Sequence, residues 1–87
     1  MPYITRNEQA KLERYSYTGA NPHTPDNAGE LTYIFTKESC DYVKKHGKSF
    51  LTCCIIIGAL ICTALEFYRR VVAPYEEMKI KTNGDVY

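Results

Sequence analysis

Seventeen consecutive residues, Ser49 to Leu65 (SFLTCCIIIGALICTAL), carry no Lys, Arg, Asp, Glu or His, while Lys48 and Glu66 mark the two ends. At about 1.5 Å per residue, a helical run of this length reaches about 25 Å, close to the thickness of a bilayer's hydrocarbon core. Phe67 and Tyr68 extend it as an aromatic collar, and Arg69 and Arg70 follow as anchors. A soluble domain could hide such a helix only inside a large core, and a chain of 87 residues cannot build one around it on all sides. The run therefore predicts a single-pass membrane protein.

Outside the run the chain is polar, with about 48 residues before it and about 22 after it that hold nearly all the charge. The averaged figures, 45% hydrophobic, 24% charged and net +1, look globular only because two unlike parts are combined. Neither tail has the apolar density for a core of its own, so each is expected to be ordered by a partner or a membrane surface. A net charge near zero argues against nucleic acid, whose phosphates demand a basic patch.

The four cysteines form no disulfide framework. Cys53, Cys54 and Cys62 lie in the apolar run, where a thiol behaves as a small hydrophobe, and Cys40 stands alone before it. Neither Cys53-Cys54 nor the distant pair His23 and His46 has metal-ligand spacing. The first residues, MPYITRNEQAKLERY, contain no apolar stretch of a secretory signal, and Glu8 and Glu13 are foreign to a mitochondrial transit peptide. The span itself is then expected to act as the targeting signal. No asparagine begins a glycosylation sequon.

The sequence divides into a polar segment 1–38, a long helix 39–73 containing the span (about 49–68), and an extended tail 74–87. Thr5 followed by Glu8 is a capping box, predicting a short surface helix from Arg6 to Tyr15. Thr18 to Glu30 reads as a loop on its prolines, glycines and asparagines. Alternation over Leu31 to Thr36 predicts a short extended stretch. Thr36 or Ser39 would cap the long helix, with a bend at Gly47. Pro74 is expected to end it, because proline lacks the N–H that the helix ladder needs. Asn83-Gly84 suits a tight turn near the end. The fold class is thus all-α membrane, one transmembrane helix with polar tails.

Within the span Cys54, Gly58 and Cys62 recur at four-residue steps, and Ala59 broadens the stripe. Small residues so spaced let helix backbones approach closely where lipid supplies no hydrophobic drive. Glu66 and Arg70 continue the same stripe and are expected to form an ion pair. Lys44, Lys45 and Lys48 flank one end of the span, while Arg69, Arg70, Lys79 and Lys81 flank the other. With Lys37 counted the two ends nearly tie, and the tighter first cluster turns the N-terminal side toward the matrix or cytoplasm. The first cluster also suits anionic headgroups such as cardiolipin. The interfacial set is then Lys44, Lys45, Lys48, Glu66, Tyr68, Arg69 and Arg70. Tyr75 to Met78 has the form of a Tyr-x-x-hydrophobic sorting or phosphotyrosine motif, and Cys40 is a candidate for lipidation. No nucleophile–base set, phosphate loop or cofactor-ligation pattern can be assembled, so no enzyme and no cofactor are expected.

This layout resembles the small supernumerary subunits of mitochondrial respiratory complexes and of ATP synthase. They share an uncleaved start, one moderately apolar span, basic flanks and polar tails laid along larger subunits. The resemblance covers the arrangement of the whole chain and rests on no motif, so it assigns no residue a role. It implies a non-catalytic accessory subunit of the mitochondrial inner membrane, with the NADH-oxidising complex first, then cytochrome c oxidase and ATP synthase. The alternatives are a small translocase or tail-anchored component, and a single-pass regulator that binds a membrane partner.

Overall fold

The computed structural model describes residues 3–12 and 24–87. Every regular element among them is helical. Two units divide at residue 48. The first contains α1 (Arg6–Leu12) and α2 (Ala28–His46); the second contains α3 (Phe50–Phe67), a π turn (Tyr68–Val72) and α4 (Ala73–Asn83).

Helix α1 starts as its capping box requires. The Thr5 hydroxyl accepts from the Glu8 N–H at 3.2 Å, and the Glu8 carboxylate accepts from the Thr5 N–H at 3.1 Å. The predicted continuation beyond Leu12 to Tyr15, and His23 with the first part of the predicted loop, lie outside the described residues.

A second box opens α2. The Asn27 side chain accepts from the Glu30 N–H at 2.9 Å, and Glu30 reaches back to accept from the Asp26 N–H at 3.0 Å. These bonds satisfy donors that a helix start leaves orphaned, so the helix begins at Ala28. The expected extended stretch over Leu31 to Thr36 is therefore helical, and the loop stops at Asn27. Thr36 and Ser39 do not cap a helix but lie inside one. Their hydroxyls donate to the Thr32 and Phe35 carbonyls four residues back, both at 2.8 Å.

Glu30 is buried, with its side chain 3% exposed, and accepts from the Lys11 ammonium at 2.9 Å. Asp26 takes the same ammonium at 2.9 Å. Leu12 and Ile34 are the buried apolar residues beside this polar clamp, and the unit's small core is built from them. Burying a carboxylate is costly unless it is paired and hydrogen-bonded, and here it is both.

The expected single helix through residues 39–73 is interrupted. At Gly47 φ is +87°, a conformation that L side chains rarely adopt, and the Gly47 N–H closes α2 onto the Val43 carbonyl at 2.8 Å. After Lys48, Ser49 caps α3 by accepting from the Thr52 N–H at 3.1 Å.

Pro74 does not stop the helix. Its ring removes one donor, and the π turn just before it absorbs the defect: the Ala73 N–H donates to the Tyr68 carbonyl, five residues back. Pro74 then occupies the second position of α4, where its missing N–H is tolerated. Consequently residues Ala73–Asn83 are helical rather than an extended tail. Asn83 is the last helical residue rather than part of a free turn, and Gly84 ends the helix with φ +92° and its N–H on the Ile80 carbonyl at 2.8 Å.

Candidate functional site

The apolar run forms α3 behind a serine cap, and its many residues of modest helix propensity, isoleucines, threonines, cysteines and Gly58, are tolerated where all faces are apolar. From Phe50 the helix continues without a non-helical residue to Asn83. Among the described residues this is the one helix long and apolar enough to cross a membrane, and almost none of its apolar window is buried. Cys53, Cys54 and Cys62 are all exposed free thiols, as is Cys40 on α2.

Cys54, Gly58, Ala59 and Cys62 all lie on α3, so their four-residue steps make one face of a single helix. A Cβ added at Gly58 would meet nothing within 4 Å. Among the described residues nothing covers that side of Gly58.

The carboxylate at the end of the run is paired, but with a different arginine from the one expected. Arg69, three residues on, grips Glu66 with Nε at 2.8 Å from Oε1 and Nη2 at 2.9 Å from Oε2. This fork-to-carboxylate geometry is the strong form of a charged hydrogen bond. It leaves Arg70 on a shallow groove with Cys62, Thr63, Glu66, Phe67 and Val71. Tyr68 donates its hydroxyl to Glu76 across the π turn, and the Lys79 ammonium stands 5.6 Å from the Tyr75 ring centre. Tyr75 and Met78 lie on α4, so the Tyr-x-x-hydrophobic segment is helical and its two apolar residues are exposed.

In the first unit, Lys44, Lys45 and His46 occupy the last turn of α2, where positive charge complements the helix dipole. Lys48 follows in the short link. The His46 ring packs on Tyr42 with ring centres 4.2 Å apart. At the other end of the unit, the Glu8 carboxyl is held down to about 2 by hydrogen bonding shared with Glu30, then by the Thr5 N–H and hydroxyl. Glu30 and then Asp26 raise the Lys11 ammonium. Burial first, and then Asp41, push the Glu38 carboxyl up.

Among the described residues no three His, Cys, Asp or Glu side chains are grouped to hold a metal ion. The Asn27–Glu30 clamp was missed in the sequence, although Asn-x-x-Glu is the signal that Thr-x-x-Glu gave at residue 5. The π turn has no comparable sequence signal beyond Pro74 itself.

Fold and site together define an all-α protein with one long apolar helix, polar at both ends. The chain belongs to the DUF6899 family, described as a domain of unknown function, which it matches over residues 1–86. No curated protein and no solved structure matches it.

Proposed function

We propose that the chain is a non-catalytic assembly component, anchored in a membrane by α3 and holding protein partners through its polar ends. One observation carries the reading: α3 is apolar on every side and almost wholly uncovered by the other described residues. Leaving so much apolar surface in water costs about 25 cal/mol per Å², so something outside the chain must cover it, and lipid covers a helix on all faces at once. Lys48 before α3, and the Glu66–Arg69 pair with Arg70 at its far end, set charges where headgroups and water would begin. The specific setting proposed is the mitochondrial inner membrane, in a respiratory complex, with the NADH-oxidising complex first; that part rests on layout alone.

A second reading is favoured by a separate observation. Exposed apolar residues continue past α3, with Val71, Tyr75 and Met78 each at least half exposed at four-, four- and three-residue steps from Phe67. Such spacing suits packing against another helix. In the anchored reading protein covers this stretch and at most the small-residue face of α3. In the second, protein covers the whole of α3 and α4, and the chain belongs to a soluble helical assembly.

The test is alkaline carbonate extraction of membranes from cells expressing the full chain, followed by native electrophoresis of the digitonin-solubilised pellet. The anchored reading expects the chain to stay in the pellet and to migrate with a large assembly containing redox enzymes. Release by carbonate as a discrete oligomer favours the second reading. Retention in the pellet with migration as a small free species would remove the assembly role.

A further inference from the structure

Helix α2 carries an apolar stripe that its own unit leaves open. Leu31 is 45% exposed, Phe35 48% and Tyr42 36%. On a helix turning about 100° per residue the three fall within about 40° of one another. The neighbouring face of the same helix holds the buried Glu30 and Ile34, so α2 already packs one side inside its unit and presents a second. His46 lies beside the stripe, stacked on Tyr42. Lys44, Lys45 and Lys48 form a basic group at the same end. Between His46 and the first residue of α3 there are only three residues, Gly47 to Ser49.

We infer that α2 is an interfacial helix: the Leu31–Phe35–Tyr42 stripe enters the headgroup boundary of an anionic membrane, and Lys44, Lys45 and Lys48 bind its phosphates. This inference rests on the anchored reading of α3. Three features favour lipid as the occupant. The short link holds the basic end of α2 near wherever α3 enters the bilayer. The residue types are those of an interfacial helix, aromatic and aliphatic on one stripe with lysines able to extend toward phosphate. The charge is concentrated at the end nearest the link, where a juxtamembrane basic cluster meets anionic headgroups. Glu38, which borders the stripe, opposes insertion as a carboxylate. Burial and Asp41 already favour its neutral form, which reduces that opposition.

The experiment reconstitutes the full chain in vesicles of phosphatidylcholine, with and without phosphatidylglycerol, and reads tryptophan fluorescence. The chain has no tryptophan, so Phe35→Trp reports on α2 alone and Ile57→Trp, made separately, reports on α3. Leu31→Trp replaces Phe35→Trp if the latter fails to fold. The inference expects blue-shifted emission at position 35, quenched by lipids brominated near the headgroup end of the acyl chain, and more strongly in the anionic vesicles. Changing Lys44, Lys45 and Lys48 to Gln should lower the docking equilibrium about fivefold per lysine in those vesicles. Water-like emission at position 35, with position 57 quenched, overturns the interfacial helix and leaves the anchor standing. Water-like emission at both positions overturns the anchor as well. Quenching at position 35 that ignores both phosphatidylglycerol and the lysine changes overturns the anionic-lipid assignment.

Discussion

Replacing Pro74 with alanine should turn the π turn back into ordinary α-helix. In the native chain the Ala73 N–H is drawn to the Tyr68 carbonyl, and Pro74 has no N–H to offer Arg70. Alanine at 74 would supply that donor, and the Ala73 N–H could return to the Arg69 carbonyl. The added backbone hydrogen bond contributes about 1 kcal/mol, and the relief of proline's helix cost sets a ceiling of about 3 kcal/mol. Amide exchange in the full chain, followed by mass spectrometry, should therefore slow by about tenfold or more over Ala73 to Glu77, since about 1.4 kcal/mol is a factor of ten. The same change turns α4 relative to α3 by most of one residue, about 60–100°. The Tyr68–Glu76 hydrogen bond, which depends on the shorter rise of the π turn, should then break. Unchanged or faster exchange in Pro74→Ala would refute the idea that proline causes the π turn.

Three other outcomes follow from the same geometry. Asn27→Ala should cost the first unit about 1 kcal/mol and fray the first turn of α2, seen as faster exchange at Glu30 and Leu31. Gly58→Leu should leave helix content unchanged, because no described residue lies near an added Cβ, yet reduce recovery of the assembled complex more than Ile56→Leu does; equal recovery of both variants would remove the small-residue stripe from the account. The Glu8 carboxylate, held first by Glu30 and then by the Thr5 box, should stay ionised in mild acid. The Glu8 carboxyl is depressed from 4.5 to about 2, so its contribution is present above pH 4.5 and is lost only as pH falls through about 2, which carboxyl and amide chemical shifts of residues 5–9 would report.

Local signals that act over three or four residues were legible. The Thr5 box and the apolar run read directly, because each depends on residues adjacent in sequence, whereas Gly47, expected as a bend, ends one helix before Ser49 caps the next. The stretch from Leu31 to Thr36 misled because Leu31, Tyr33 and Phe35 satisfy two-residue alternation while Leu31, Ile34 and Phe35 satisfy three- to four-residue helical spacing. The Asn27–Glu30 box decides between them, and Lys11, nineteen residues away from Glu30, then locks the helix start. That last contact depends on folding and has no local signal. Pro74 misled in another way: the rule that proline stops a helix assumes an α ladder, and a five-residue turn escapes it. Glu66 chose Arg69 over Arg70 because the fork of Arg69 meets both carboxylate oxygens. Sequence spacing alone cannot rank those two arginines.

The central claim is that α3 lies in a membrane, shut off from water along its apolar length. The chain's own cysteines offer the most direct test, because Cys53 lies to one side of the face that Cys54 and Cys62 share on that helix, and Cys40 lies outside it. Intact vesicles carrying the full chain would be treated with a charged, membrane-impermeant maleimide, and labelling at each thiol read by peptide mass spectrometry. All four thiols are exposed in the chain by itself, so protection must come from what surrounds it. The account predicts labelling at Cys40, on molecules whose first unit faces the outside, and none at Cys53, Cys54 or Cys62 until detergent is added. Prompt labelling of any of those three in intact vesicles would contradict it.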